Sequence, residues 1–200
     1  LGILTGTQGG WPLSMFLDEN AVPFTGGTYF PPKEMHGRPS FIQVLESVLK
    51  IYSENIAEET KLFEGIEGVL EELENSKKLW GIVTNKPENM TFPLLKSLGI
   101  YERATSIVSG DRLSERKPHP APLLLAAKEA GAKPNQCVYV GDARRDIMAG
   151  QAAGMHTITA AYGYIPPSED TSSWGADCII RRPADLTQAL RELDSSNRCP

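Results

Sequence analysis

The chain has 200 residues, 40% of them hydrophobic and 22% charged, which is typical of one medium-sized globular domain or two small ones. No apolar run is long enough to cross a bilayer, so we expect no membrane partner. The formal net charge of −5 argues against nucleic acid as a partner, because phosphate backbones are bound by clustered Lys and Arg. The cysteines Cys137, Cys178 and Cys199 are too few and too scattered for a disulfide framework or a zinc site, and no signal peptide is recognisable. We therefore expect a cytoplasmic protein with reduced thiols.

The first 40 residues differ in composition from the rest of the chain. They hold 7 of the 18 glycines and 5 of the 15 prolines, but only 5 of the 45 charged residues. Within them, an apolar run at Leu13–Leu17 is separated from the extended segment Phe24–Phe30 by the polar residues Asp18-Glu19-Asn20. Two short strands joined by a polar turn predict a β-hairpin.

Beyond residue 40 the hydrophobic pattern predicts helices and then alternating strands and helices. Residues 41–56 and 66–73 each place their apolar side chains on one helical face. The predicted strands are Leu79–Val83, Thr105–Val108, Cys137–Val140, Thr157–Ala161 and Cys178–Ile180. The predicted helices between and after them lie near Thr91–Leu98, Pro122–Ala130, Arg145–Ala153 and Ala184–Leu193. Uninterrupted apolar strands are typical of a parallel sheet covered by helices on both faces, which predicts a three-layer α/β fold of the Rossmann type with ligands at the carboxyl ends of its strands.

Polar side chains of one chemical kind follow three of these strands. They are Thr84 and Asn85 after the first strand, Lys117 and His119 after the second, and Asp142 and Asp146 after the third. A hydroxyl that holds phosphate oxygens, a lysine that neutralises charge and paired acids that hold Mg²⁺ are the components of a metal-assisted phosphoryl-transfer site. Two alternatives stay open: Asp146 stabilises the N-terminus of its own helix, and His119, between two prolines, stiffens its loop.

These residues resemble the second, third and fourth motifs of the haloacid dehalogenase (HAD) superfamily. The matching elements are Thr84-Asn85 after an apolar strand, Lys117-Pro118, and Gly141-Asp142-x-x-x-Asp146. The stretches GIVTNKPEN, SGDRLSERKPHPAPLLLAA, CVYVGDARRDIMAGQAAGM and YGYI are most similar to phosphoglycolate phosphatases and bacterial N-acetylmuramic acid 6-phosphate phosphatases. The similarity covers residues 48–190. It implies hydrolysis of a small phosphorylated metabolite through an aspartyl-phosphate intermediate, with Mg²⁺ as cofactor.

The resemblance also implies a role for each matching residue. Thr84 would bind the transferring phosphoryl group, and Lys117 would neutralise the nucleophile and the phosphate. Asn85 and His119 are the remaining candidates for substrate contact. Asp142 would be a metal ligand. Asp146, the last of these six candidates, would support the metal site.

The motif that carries the family's nucleophile does not occur in these residues. The HAD nucleophile and its acid/base are two aspartates of an Asp-x-Asp-Gly-Thr motif on the central strand, and this motif is nowhere in the 200 residues. Without a carboxylate nucleophile the two-step covalent mechanism cannot run, so we expect catalysis to be lost or strongly impaired. Most of the family's cap domain is missing as well, which leaves the helix near residues 48–57.

The first 45 residues resemble a second family. Their stretches GGWPL and GGTYFPP are similar to the later part of the thioredoxin-like domain in the spermatogenesis-associated thioredoxin/glycosidase family. No Cys-x-x-Cys occurs, so a thiol redox role has no nucleophile. We therefore expect a fusion in which residues 1–45 are thioredoxin-derived, 46–64 are a cap-helix remnant and linker, and 65–200 are a HAD-like core. From the absence of an initiating Met and of both families' catalytic segments, we expect a constructed or recombined chain. Two other functions stay open: a non-catalytic fusion and a phosphate- or Mg²⁺-binding module.

The absent central strand raises the question of what fills its place. If Leu13–Leu17 inserted there in parallel, Asp18 would stand at the nucleophile position and Asn20 at the acid/base position. Turnover would then be slow, because an asparagine cannot transfer the protons. The alternative is that Asp18 belongs to the turn of a hairpin. The exposed sheet edges would then favour strand exchange between two chains, so the chain is expected to be a monomer or a strand-exchanged homodimer.

Overall fold

The computed structural model describes residues 14–17, 23–27, 31–35, 37–55 and 60–194. The chain divides into two compact units, Leu1–Asn55 and Ile56–Pro200. Within the described ranges, no helix combines the length and the apolar character needed to span a membrane.

The first unit contains a hairpin and a helix. Strands β1 (Ser14–Leu17) and β2 (Pro23–Gly27) pair antiparallel, which confirms the predicted hairpin. Helix α1 (Phe41–Asn55) begins after a capping box, in which the N–H of Ser40 donates to Gln43 Oε1 (2.7 Å) and the N–H of Gln43 donates to Ser40 Oγ (3.2 Å).

Parallel insertion of Leu13–Leu17 into the second unit's sheet is not what the structure shows. Among the described strands, β1 forms a ladder with β2 and with no parallel strand. Pairing with the neighbouring strand is favoured over insertion beside a strand far along the chain, because closing a short loop costs less chain entropy than closing a long one. Asp18 and Asn20 lie outside the described residues, so the surrogate-nucleophile role of Asp18 stays a prediction.

The second unit alternates strands and helices, as the hydrophobic pattern predicts. Its strands are β3 (Ile82–Val83), β4 (Ile107–Val108), β5 (Val138–Gly141), β6 (His156–Ala160) and β7 (Cys178–Ile180). Its helices are α2 (Ile66–Asn75), α3 (Glu88–Ser97), α4 (Ala121–Glu129), α5 (Arg144–Ala152) and α6 (Leu186–Asp194). Short 3₁₀ turns occur at Pro134–Gln136, Thr171–Trp174 and Pro183–Asp185. The predicted α/β class is confirmed.

The parallel strands form two separate ladders. One joins β3 to β4, and the other joins β5, β6 and β7 in that order. No ladder between β3 and β5 occurs in the described part of the chain. Thr84 and Asn85 follow β3, Asp142 and Asp146 follow β5, and Lys117 and His119 lie in the loop after β4.

Two apolar clusters hold the helices against these strands. One is built from α2, β6, β7 and α6 and contains Val69, Ile158, Cys178, Ile180, Leu186 and Ala189. The other joins α4 to α5 and contains Leu123, Ala149 and Ala153. Cys178 is a core residue, but it is disulfide-bonded, so the expectation of reduced thiols is wrong for this cysteine. Cys137 is a free thiol.

Candidate functional site

A buried lysine at the ends of β3 and β5 is the centre of the site. The ammonium group of Lys117 lies 2.8 Å from Asp146 Oδ1, and the two side chains are only 9% and 8% exposed. The same group donates to the carbonyl oxygen of Val83 at 2.9 Å and to the hydroxyl of Tyr139 at 2.8 Å. Two of the three N–H donors of Lys117 are therefore used in hydrogen bonds, and Asp146 Oδ1 lies at ion-pair distance without a hydrogen-bond partner. Lys117 therefore contributes a positive charge fixed in place.

The end of β3 fixes the backbone of Lys117. The side-chain amide of Asn85 donates to the carbonyl of Lys117 at 3.0 Å, and the N–H of Lys117 donates to Asn85 Oδ1 at 3.1 Å. The preceding Thr84 is half-buried, and its hydroxyl accepts the N–H of Lys86 at 3.1 Å. Such a turn is typical of threonine at the end of a strand. The structure thus places Asn85 against the lysine's own backbone, with Thr84 directly before it.

Asp146 connects the lysine to the first turn of α5. Its Oδ2 accepts the N–H of Ala143 at 3.2 Å, which caps the helix, while Oδ1 faces Lys117. The close approach depends on Gly141, since a Cβ there would lie 2.3 Å from the Cβ of Asp146. Asp146 therefore stabilises the N-terminus of α5, as one alternative predicts, and its support of a metal site stays a prediction.

Asp142 is enclosed by the loop that follows β6. Its Oδ2 accepts the N–H of Tyr164 at 3.2 Å. A Cβ on Gly163 would lie 2.3 Å from the Cβ of Asp142, so the loop can approach only with glycine at this position. The sequence indicates no role for this loop, which is marked there only by the resemblance of its YGYI stretch to the family.

The carboxylates of Asp142 and Asp146 differ in their fit to Mg²⁺. This ion is usually bound by one or two carboxylates together with water and substrate phosphate. Asp142 fits such a ligand, because one backbone N–H leaves its carboxylate with further lone pairs. Asp146 is already engaged by Lys117 and Ala143. Within the described ranges, no group of three or more His, Cys, Asp or Glu side chains is arranged to hold a metal by itself.

Tyr139 is a site residue that the sequence did not reveal. Its hydroxyl donates to the carbonyl of Val83 at 3.1 Å and accepts from Lys117, so a side chain of β5 connects to the end of β3. Burial raises the pKa of Tyr139 well above its usual range, and the charges of Asp146 and Asp142 add to this effect. One feature of the sequence indicates such a role. A tyrosine within an apolar strand is expected to be buried, and a buried phenol needs a hydrogen-bond partner.

His119 lies on the exposed part of the loop before α4. Its Nδ1 accepts the N–H of Ala121 at 3.2 Å, and its own N–H donates to the carbonyl of Arg116 at 2.9 Å. These bonds fit the loop-stiffening alternative. The structure therefore gathers Thr84, Asn85, Lys117, Asp142 and Asp146 at the carboxyl ends of the strands and gives His119 a helix-start contact.

Comparison with known proteins identifies the family. Residues 28–160 match the haloacid dehalogenase-like hydrolase family. The chain is 46% identical over 138 residues to the phosphoglycolate phosphatase of Xanthomonas campestris pv. campestris, covering 69% of this chain and 62% of that protein. It is 38% identical over 142 residues to the N-acetylmuramic acid 6-phosphate phosphatase of Pseudomonas putida, covering 71% of this chain and 64% of that protein.

A solved structure agrees with these relatives. The crystal structure of a predicted phosphoglycolate phosphatase from Haemophilus somnus 129pt superimposes with a TM-score of 0.69 at 30% identity, covering 74% of this chain and 65% of that one. The chain thus spans less than two thirds of the length of the first of these curated relatives and of this structure. The family match extends over more than half of the 200 residues, and the chain belongs to the haloacid dehalogenase-like hydrolase family.

Proposed function

We propose that this chain binds phosphate monoesters of small metabolites at the ends of β3 and β5, as a phosphatase of the phosphoglycolate or N-acetylmuramate 6-phosphate type. The observation that carries the proposal is the buried Lys117–Asp146 pair. A lysine held at a strand end offers a charge for the phosphate without first having to be ordered. Thr84, immediately beyond β3, would donate its hydroxyl to a phosphate oxygen.

Asp142 is the residue proposed to hold Mg²⁺. When bound, the ion supplies Lewis-acid polarisation of the phosphate oxygen. The N–H of Tyr164 fixes the orientation of the Asp142 carboxylate, and Asp146 fixes the orientation of Lys117. Asn85 holds the backbone that carries Lys117.

Phosphate binding and phosphate hydrolysis require different residues of this chain. No Asp-x-Asp-Gly-Thr motif occurs in the 200 residues, and the described residues offer no other carboxylate in contact with Lys117 than Asp146. We therefore propose that the chain by itself hydrolyses phosphate esters slowly or not at all. Asp18 lies outside the described residues, and β1 does not form the parallel insertion on which its role as a surrogate nucleophile depends, so no step is assigned to it.

A phosphate- and Mg²⁺-binding module is the second candidate. It is favoured by the contacts of Lys117, since the ammonium group is held by Val83, Tyr139 and Asp146 and would act on a phosphate through its charge. An inert fusion is the third. Its distinguishing property is that neither phosphate nor Mg²⁺ would bind.

The test combines binding with turnover on the whole chain. Thermal unfolding is followed with inorganic phosphate, Mg²⁺ and both, because a ligand of the folded state raises its stability. Hydrolysis of p-nitrophenyl phosphate and of the two named substrates is measured in parallel. Lys117→Ala and Asp142→Asn are compared with Lys128→Ala, which removes an exposed lysine of α4.

The three candidates give different results. Turnover that both site variants abolish and Lys128→Ala preserves supports the phosphatase. Stabilisation without turnover, lost in the same two variants, identifies the binding module. No response to phosphate or Mg²⁺ contradicts the proposal and leaves the inert fusion.

A further inference from the structure

Phe63 connects the start of α2 to the loop that follows β6. Its ring is in edge contact with Tyr162, with ring centroids 5.3 Å apart and planes at 74°, and it lies 5.7 Å from the ring of Tyr164. Its backbone is held at the start of α2, because the carbonyl of Phe63 accepts the N–H of Ile66 at 3.0 Å. A ring whose own backbone is fixed therefore contacts the loop on both sides of Gly163.

The same loop fixes the carboxylate of Asp142. The N–H of Tyr164 donates to Asp142 Oδ2 at 3.2 Å, and a Cβ on Gly163 would lie 2.3 Å from the Cβ of Asp142. Burial raises the pKa of Tyr162, and the negative charge of Asp142 raises it further, which places this phenol within electrostatic reach of the carboxylate. A shift of the loop would therefore move the hydrogen-bond donor of Asp142.

The exposure of these rings indicates that Phe63 acts on the loop more than on the core. Phe63 is 40% exposed and Tyr164 is 90% exposed, whereas Tyr162 packs against the apolar cluster of α2, β6, β7 and α6. Apolar stabilisation is proportional to the area removed from water, so a ring this exposed contributes less to folding than a core ring. Its contacts with both tyrosines restrict where the loop lies.

We propose that Phe63 is a positioning residue for Asp142, acting through the loop after β6. The inference rests on the proposed function, because it needs Asp142 to be the ligand of Mg²⁺. This ion demands near-ideal octahedral geometry, so its affinity depends on how a carboxylate ligand is oriented. Removing a group that orients a metal ligand typically lowers metal affinity by about 10- to 100-fold. Phe63 acts one contact further out, and we expect its removal to lower the affinity for Mg²⁺ by about three- to tenfold.

Nuclear magnetic resonance of the whole ¹⁵N-labelled chain gives two independent readouts. Titration with Mg²⁺ in the presence of inorganic phosphate measures metal affinity. Hydrogen exchange of the Tyr164 amide, measured without Mg²⁺, reports whether its bond to Asp142 is kept. The variants are Phe63→Ala, the conservative Phe63→Tyr, and Phe92→Ala as a matched control. Phe92 lies in α3 and makes a similar edge contact with Tyr101, with centroids 5.1 Å apart and planes at 64°.

The expected results separate positioning from general stability. Phe63→Ala should bind Mg²⁺ more weakly and exchange the Tyr164 amide faster, because the loop is less restricted. Phe63→Tyr keeps the ring and should behave as the wild type in both readouts. Phe92→Ala also loses a ring contact and some stability, but its Mg²⁺ affinity and its Tyr164 exchange should not change.

A double variant shows whether Phe63 acts through the Tyr164 amide. Proline has no N–H, so Tyr164→Pro removes the donor to Asp142. If the ring acts through this donor, adding Phe63→Ala to Tyr164→Pro should cause no further loss of Mg²⁺ affinity. A loss of the same factor in both backgrounds would overturn the inference.

The remaining outcomes distinguish this inference from the proposed function. Mg²⁺ binding that Phe63→Ala leaves unchanged overturns the inference and leaves Asp142 as the proposed ligand. Weaker Mg²⁺ binding with unchanged exchange at Tyr164 also overturns it, because the ring would then act by another route. Absence of Mg²⁺ binding by the wild-type chain overturns both.

Discussion

The hydroxyl of Tyr139 lies between two groups that need a partner inside the protein. It accepts from the Lys117 ammonium and donates to the Val83 carbonyl. Tyr139→Phe keeps the ring and removes both bonds, so a donor and an acceptor lose a partner. We expect the free energy of unfolding to fall by about 1–2 kcal/mol, measured by urea denaturation at neutral pH. An unchanged midpoint of urea denaturation would show that water replaces the hydroxyl of Tyr139 with no loss of stability.

Gly163 is the residue whose replacement should displace Asp142 without touching a charge. A Cβ at this position would lie 2.3 Å from the Cβ and 2.4 Å from Oδ2 of Asp142, so Gly163→Ala forces one of them to move. We expect a loss of about 1–3 kcal/mol in stability. We also expect no stabilisation by Mg²⁺ plus phosphate, which thermal unfolding measures.

Gly68→Ala is the matched control for this substitution. Gly68 lies within α2, and a Cβ there would meet no atom within 4 Å. Alanine in a helix interior is more favourable than glycine by about 0.5–1 kcal/mol, so the control should stabilise the chain and keep the ligand response. If both variants lost the response, the effect would not be specific to Asp142.

At the scale of elements, the Lys117–Asp146 pair joins the loop after β4 to the start of α5. Removing one member of a buried pair leaves the other charge uncompensated, so Asp146→Ala should lower the free energy of unfolding by about 3–5 kcal/mol. The double variant Lys117→Met with Asp146→Leu removes both charges and should lose less than the single variant. Urea denaturation of the wild type and both variants measures this coupling. A double variant less stable than Asp146→Ala would contradict the account.

The elements were predictable because their hydrophobic pattern is local. Each predicted strand and helix of the second unit is present, and Cys178–Ile180 has the predicted bounds. Strands β3 and β4 are shorter than predicted, with two residues each. Their ladder has no neighbour on the β5 side in the described residues, and pairing with neighbours is what extends a strand.

The contacts between elements were less predictable than the elements. Lys117 and Asp146 were predicted to share a site because the carboxyl ends of parallel strands share one edge of a sheet. Nothing local indicates that Asn85 holds the backbone of Lys117 or that Tyr139 reaches Val83, since these partners are 32 and 56 residues apart. Such bonds depend on how the strands are placed in space.

At the scale of the whole molecule, the oligomeric state depends on whether strand edges are open. Strand exchange is expected of a chain whose first strand stays out of the parallel sheet, and β1 meets this condition because it pairs with β2 instead. The carbonyl of Val83 on β3 is occupied by Lys117 and Tyr139. An edge blocked by side chains resists pairing with another chain. We therefore expect a monomer of 21.9 kDa in light scattering after gel filtration, whereas a dimer at micromolar concentration would contradict this.

The free energy of unfolding at alkaline pH should depend on Tyr139. The pKa of Tyr139 is raised by burial and by the charges of Asp146 and Asp142, and that of the half-buried Tyr162 is raised by burial and by Asp142. Below pH ~10 the phenol of Tyr139 is protonated in both the folded and the unfolded chain, so its contribution to the free energy of unfolding is fully present. Above that pH the unfolded chain releases the proton and the folded chain keeps it. The free energy of unfolding then falls by about 1.4 kcal/mol per pH unit for Tyr139.

Urea denaturation at several values between pH 8 and pH 11 measures this slope. Tyr139→Phe removes the titrating group, so its stability should fall less steeply above pH ~10 than that of the wild type, although it starts from a lower value. The two curves should therefore converge as the pH rises, because the wild type loses there what the hydroxyl contributes at neutral pH. Curves that stay parallel up to pH 11 would mean that the folded chain releases the phenol proton as readily as the unfolded one.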